Sequence, residues 1–453
     1  MKKVVLHSSN GHLGYAPTKE DSFWNGAKRK PDFYVADSGS ADVGPRYLGQ
    51  DKCSSPRRWQ KHDLRLMLLA AREQKVPMII GSAGDQGTNK SVDRYVEIIK
   101  EIAKEEGLKG FKLAYIYANI SKSYLRNRLK KGDVIRGLGD SRVDLTKEDI
   151  EKSDKIVGVM GIDPYIEALN NGADVIIAGR SSDTCVFAAP AIWKGMPEAE
   201  SYFAGKALEC ASFCAEPYGA KETVLGTVTE NSVILEAMAD FQKCTPASIA
   251  GHSMYERLDP FEEIFPRGRI DLTECTYTQV SEKGTEVKGM KYIPADKMTI
   301  KLEGSGKIGE RRVVIVGVRD PFVIKQLDEA IEWAKREVES NYGKIGENYE
   351  LYYHVYGKNA LMKEWDNNKS TPHEIGVVVE SVSKDPELAH EVALLGGRGI
   401  FYARTKNVKG SAGTGSVLFA EVLKGEPAYK WTLNHVMEID DWRKLFKINY
   451  INI

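Results

Sequence analysis

The chain has 453 residues, with 64 basic and 64 acidic side chains and only eight histidines, so its formal net charge is zero. That balance excludes a field-driven nucleic-acid or anionic-membrane binder, and no apolar run approaches the roughly 18 residues of a membrane span. The start MKKVVLHSS runs straight into a strand, and its VVL is far too short for a signal segment, so a cytoplasmic protein is expected. Cys53, Cys185, Cys210, Cys214, Cys244 and Cys275 are scattered without a CxxC pair, which reads as reduced, mostly buried thiols rather than a disulfide frame or a structural zinc site.

In chain order, KVVLHSS and FYVAD read as strands, His62 to Gln74 as a helix, VPMIIGS as a strand, Val92 to Glu106 as a helix and FKLAYIYANI as a strand. A helix near Lys147 to Val157, PYIEALNNG and the strand ADVIIAGR follow. This alternation predicts an α/β fold with a mostly parallel, Rossmann-like sheet and helices on both faces over residues 1–222. Beyond Glu222 the segments VLGTVTENSVILEAM, RIDLTECTYTQV, MTIKLEGSG and RRVVIVGV are β-rich with short turns. A helix at Pro321 to Ser340, further strands, the helix PELAHEVALLGGRGIFY and a last strand AYKWTLNHVMEI complete an α+β domain over 223–453.

Three strands of the first region break off into glycine, serine and aspartate loops: DSGSADVGP, GSAGDQG and GRSSDT. In an open α/β sheet such loops converge beyond the carboxyl ends of parallel strands, where ligands bind. Asp37 and Asp42, with Ser38, Gly39 and Ser40, suit a substrate hydroxyl or a divalent cation such as Mg; the rival reading is a pair of Asx turns. Gly81, Ser82, Gly84 and Asp85 offer an anion cradle before a helix, or a tight turn capped by Asp85. The spacing is neither GxGxxG nor GxxxxGK[ST], so no NAD, flavin or nucleotide is expected. Arg180, beside Asp183, follows a buried strand and reads as a fork for a ligand carboxylate, with an internal ion pair as its rival.

Downstream, Glu209 reads as a buried acid, and Cys210 and Cys214 as core filler. His252, Tyr255, Glu256 and Asp259 recur at three- and four-residue spacing, as one proton-handling helical face or as a helix capped by Thr245 and Pro246. His373 and Glu374 open a strand, and Ser411 lies in a second glycine loop, KGSAGTGS. No GxSxG or HExxH occurs, so serine-hydrolase and zinc-protease signatures are missing.

The segments DSGSADVGPRYLG, PMIIGSAGDQG, GADVIIAGRSSDTCVFAAPAI, TPASIAGHSMYERLDPF, GRIDLTECTY, KLEGSGKIGERRVVIVGVRDP and PHEIGVVVESV, in this order, resemble the acyclic terpene utilisation AtuA family. The resemblance implies an α/β N-terminal region and pathways that handle carboxylic acids or their CoA thioesters. By motif position it includes Asp37, Ser40, Asp42, Gly81, Ser82, Gly84, Arg180, Asp183, Glu216, the Thr245–Ser248 turn with Tyr255, and His373-Glu374. It carries no catalytic assignment. Many members have Thr-Ala-Gly-Asn where this chain has Ser411-Ala412-Gly413-Thr414-Gly415, which implies a different substrate if that loop touches it.

The leading expectation is lyase or hydratase chemistry on a small polar carboxylate or its CoA ester. Arg180 holds the substrate, Asp37, Asp42 or Glu216 removes a proton, and Tyr255 or His252 returns one. A hydrolase of an ester, lactone or thioester using Ser40 or Ser82 is the alternative, and a non-catalytic, acyl-binding subunit needing a partner chain is the third reading. Homo-oligomerisation is expected as the common state of such proteins.

Overall fold

The computed structural model describes residues 2–139, 142–367, 370–408, 413–418 and 420–453, as two compact units: residues 2–306 with 431–453, and residues 307–430. The strands that frame the site are β1 (Lys3–His12), β2 (Phe33–Gly39), β3 (Met78–Asp85), β4 (Lys112–Ile116), β5 (Lys155–Val159) and β6 (Val175–Ala178). They continue as β7 (Val224–Thr229), β8 (Val233–Ala237), β9 (Thr276–Gln279), β10 (Gly284–Lys288), β11 (Met298–Val318) and β12 (Ile448–Asn452). The helices used below are α1 (Glu20–Ala27), α2 (Arg57–Gln74), α3 (Asn89–Glu105), α4 (Asp163–Asn170), α5 (Asp183–Trp193), α6 (Glu198–Leu208) and α7 (Pro246–Ser253).

The first unit is α/β, built on a ten-stranded sheet of order β9-β10-β8-β7-β1-β2-β3-β6-β4-β12. Only its middle, β1-β2-β3-β6-β4, is parallel. Antiparallel strands extend both sides, β7 on β1 and β12 on β4, so the sheet is mixed rather than the mostly parallel Rossmann-like sheet expected. Part of this is local: β7 and β8 are joined by a short polar turn, and such a hairpin adds β8 as an antiparallel neighbour. The change of pattern at 222/223 thus marks strands that extend the first sheet, and the second unit begins at Lys307.

Alternate residues of the parallel strands face opposite cores, as strand geometry requires. Tyr34, Ala36, Ile80 and Ile177 pack with Phe23, Leu64, Leu68 and Val92 of α1, α2 and α3. Phe33, Val35, Ile79 and Ile176 pack with Tyr165, Val186, Phe187 and Phe203 of α4, α5 and α6. The helices after β1, β2 and β3 therefore cover one face, and those flanking β6 cover the other. Between β3 and β6 the chain leaves the sheet in opposite directions, which opens a crevice at their carboxyl ends.

Several elements differ from the sequence expectation. The helix expected over 147–157 stops at Lys152, because Ser153 is extended and KIVGV then forms β5. The helix expected from Pro321 breaks at Gln326 into Pro321–Lys325 and Leu327–Tyr342. MTIKLEGSG and RRVVIVGV form one 21-residue strand, β11, and β12 follows the strand expected to be last. In the second unit, residues 310–318 of β11 pair antiparallel with Ile375–Ser383, which pairs with Tyr349–Tyr356. Helices Leu327–Tyr342 and Pro386–Tyr402 close its core over Val314, Val316, Val377 and Val379. Among the described residues, no helix is long and apolar enough to cross a membrane.

Candidate functional site

The loops after β2, β3 and β6 meet at the crevice. Ser82 Oγ donates to the Ser181 carbonyl at 3.3 Å and accepts from the Ser181 amide at 3.1 Å, tying the second loop to the third. Gly87, at φ +58°, accepts the Arg180 amide at 2.9 Å, and a Cβ there would lie 2.1 Å from the Arg180 nitrogen. Ser82 and Asp85 also adopt positive φ, of 47° and 75°, a strained conformation of the kind that gathers at functional sites. Gly39 sits so close that a Cβ would fall 2.4 Å from Ser82 Cβ and 2.7 Å from Arg180 Nη1. Gly39→Ala is therefore expected to destabilise the unit by about 1–3 kcal/mol, read as a lower urea midpoint at unchanged slope.

Arg180 is the centre of this arrangement. Its Nε and Nη2 donate to both oxygens of Glu303 at 2.8 and 3.2 Å, Nη1 reaches Ser82 Oγ at 3.4 Å, and Asp183 lies 3.6 Å away. Lys301 Nζ adds a second cation 2.8 Å from Glu303. Burial alone would lift the Glu303 carboxyl, but Arg180 and Lys301 outweigh it and hold the group at about 2. The opposite holds at Asp37. Burial, reinforced by the Asp183 charge, raises its carboxyl well above the usual range, and Arg180 and the Gly39 amide offset this only in part. Asp37 Oδ2 accepts from the Gly39 amide at 2.7 Å, while its buried Oδ1 has no hydrogen-bond partner.

Arg180, Asp183 and Glu303 line a cavity of about 830 Å³ in the first unit. One wall is apolar, with Ile264, Phe265, Pro266, Ile293 and Pro294. The other carries two further ion pairs. Lys206 is 2.5 Å from Glu209, and both are nearly fully buried. The neighbouring Glu209 and Glu263 carboxylates outweigh burial and keep the Lys206 ammonium charged. Arg257 bonds Glu263 at 2.6 Å, and Glu263 also accepts from Thr184 at 2.8 Å. Behind this wall His252 is 6% exposed, stacks on Tyr255, and is held neutral, its pKa lowered by burial to about 4.

The structure brings together Asp37, Gly39, Gly81, Ser82, Arg180 and Asp183, and sets the Lys206–Glu209 pair on the same cavity. It does not bring in the others. Arg180, at the centre of the group, forks onto Glu303, the internal ion pair that was the rival of its ligand fork. Ser38 bonds the Leu13 carbonyl and Tyr95 on the opposite face of the sheet. Gly84 abuts Cys53 and Ser91, on the side of α3. Asp85 pairs with His12 at 2.9 Å and accepts from the Ser54 amide. Asp42 is exposed, its amide turned onto Ser40 Oγ, so it differs from the buried Asp37 with which it was expected to hold a cation.

Glu216 is exposed as well, its backbone paired with Lys243. Helix α7 ends at Ser253 after a Thr245–Ser248 capping box, so Tyr255, Glu256 and Asp259 lie beyond it and share no helical face with His252. His373 and Glu374 are exposed in the second unit, and Ser411 lies outside the described residues.

Sequence reasoning passes over Glu303, Lys301, Lys206, Glu263, Arg257 and His12. Lys206 carries the clearest signal, a lysine inside a helix whose Tyr202, Phe203, Ala207 and Leu208 are all buried.

The model of the acyclic terpene utilisation family protein AtuA matches residues 8–430. A comparison with curated proteins gives no match, and neither does a comparison with solved structures. Residues 8–430 are nearly the whole chain and contain every loop of the crevice, so the protein belongs to the acyclic terpene utilisation AtuA family.

Proposed function

We propose that the protein is an enzyme of lyase or hydratase type, acting on an amphipathic carboxylic acid or its CoA thioester in the 830 Å³ cavity. The observation that carries this reading is the placement of two carboxyl groups, one partly exposed and one buried, around one guanidinium. Asp183, 37% exposed, stands 3.6 Å from Arg180 on the cavity wall, within reach of a bound molecule. Asp37 sits behind Ser82 and Arg180, and burial raises its carboxyl well above the usual range. A partly exposed carboxyl beside a guanidinium suits a base, and a buried carboxyl whose pKa is raised suits an acid. Asp183 takes a proton from the carbon or water at the reacting centre, and Asp37 returns one by way of the Ser82 hydroxyl. Lys301, 37% exposed beside Glu303, supplies charge for a carboxylate or thioester oxygen.

The apolar wall gives the substrate class. The family description names acyclic terpene utilisation, and Ile264, Phe265, Ile293 and Pro294 suit a branched, prenyl-like chain. Serine-nucleophile chemistry has less support, since Ser82 Oγ is engaged with Ser181 and Arg180 and has no histidine among its hydrogen-bond partners.

The test is water addition to, or loss from, branched enoyl and 3-hydroxyacyl CoA thioesters and their free acids, followed by mass spectrometry in isotopically labelled water. Asp183→Asn and Asp37→Asn are each expected to lower kcat by about 10²–10⁴ with an unchanged melting curve. Near-wild-type rates in both overturn the assignment. Binding without turnover until a partner chain is added would favour a dependent subunit.

A further inference from the structure

Behind the charged wall of the cavity lies a group of side chains that this acid–base reading does not use. Glu209, Cys210 and His252 place one donor atom each within 4.8 Å of one another. No other group of three or more such ligands occurs among the described residues. Two features make this more than proximity. His252 is 6% exposed, yet its Nε2 has no hydrogen-bond partner, an orphaned acceptor inside the protein. Glu209 gives one oxygen to Lys206 at 2.5 Å, which leaves the other for coordination.

We infer that Glu209, Cys210 and His252 form a binding site for one divalent transition-metal ion of the zinc type. The donor set decides the class. One thiolate, one imidazole and one carboxylate match zinc or cobalt, whereas magnesium and calcium take oxygen ligands. At zinc bond lengths tetrahedral donors lie roughly 3–4 Å apart, so the triad closes on an ion by side-chain adjustments of about 1 Å. Cys210 loses its proton on binding, to solvent, as a coordinating thiol does.

Three protein ligands leave a fourth position open. Glu209 itself lines the cavity, so that position would serve a water or a carbonyl oxygen of a molecule bound there. The use of the ion in catalysis rests on the proposed function; its binding does not.

The test is made on the intact protein without substrate. After chelator treatment and dialysis it is titrated with Co(II), then with Zn(II) in competition. The expected result is one equivalent bound, with a tetrahedral d–d spectrum and a thiolate-to-cobalt charge-transfer band. Cys210→Ser should abolish the band and His252→Ala should weaken binding at least tenfold, while Cys53→Ser and Cys275→Ser behave as wild type. Zinc-edge X-ray absorption on the wild-type protein, which depends on no variant, should show one sulfur near 2.3 Å among nitrogen and oxygen neighbours. Absence of stoichiometric binding, a sulfur-free shell, or binding unchanged in both Cys210→Ser and His252→Ala overturns the site. Metal binding in a protein that turns over none of the thioesters overturns the proposed function and leaves the site standing.

Discussion

Arg180→Met is expected to lower unfolding free energy by about 3 kcal/mol, at the low end of the roughly 3–5 kcal/mol for breaking a buried ion pair. Glu303 is 5% exposed and takes both of its guanidinium bonds from Arg180, so the substitution strands a carboxylate in a dry setting. Lys301 remains 2.8 Å away, which is why the low end of the range applies. The double variant Arg180→Met/Glu303→Met removes the orphaned charge and should recover most of the loss, because well-packed apolar pairs replace buried ion pairs at little cost. Equilibrium urea unfolding of the two variants beside wild type decides the matter. A single-variant loss under about 1 kcal/mol would show that the pair is solvated. This coupling also makes Asp183→Asn and Asp37→Asn better probes of turnover than any change at Arg180, which would mix chemistry with folding.

His7 gives the second large effect, on acid stability. It is fully buried, with Nδ1 3.2 Å from Ser9 Oγ and Nε2 3.1 Å from the Phe23 carbonyl, between the rings of Phe23 and Tyr34. Burial lowers its pKa to about 4. An unfolded histidine titrates near 6.5, so between roughly pH 6.5 and 4 the unfolded chain binds a proton that the folded chain refuses. Stability therefore falls as pH falls through that window. A difference of about 2.5 units at 1.36 kcal/mol each amounts to about 3 kcal/mol lost to this residue alone. Urea unfolding at pH 7 and pH 4 should show wild type losing about that much more than His7→Gln, which can hydrogen-bond but cannot titrate. Equal losses in the two proteins would mean that His7 accepts its proton in the folded state.

The parts of the site written in local chemistry are legible in the sequence. Glycine and aspartate at three strand ends mark the crevice, and arginine straight after a buried strand marks its centre. The partner of that arginine is not legible. In β11, buried Ile300 and Leu302 alternate with Lys301 and Glu303, a pattern that reads as a strand with one solvated face. The first unit covers that face at Glu303, a tertiary fact invisible to a period-two pattern. Asp42 and Glu216 err the other way, because a carboxylate beside glycine or proline carries no local sign of which way it points. The hairpins after Glu222 show the same limit at the level of the fold. Their pattern specifies antiparallel strands, and leaves open whether these begin a new sheet or extend an old one.

The Arg180–Glu303 pair also has a history within each molecule's synthesis. Its two members are 123 residues apart, and at about 5–20 residues per second the ribosome needs roughly 6–25 s to pass from one to the other. During that interval β1, β2, β3, β4 and β6 have all emerged, and Asp183 is at hand, while Glu303, which takes the guanidinium's two-pronged bond, is not yet made. The fork that buries Arg180 against Glu303 can therefore close only after β11 has emerged, late in synthesis.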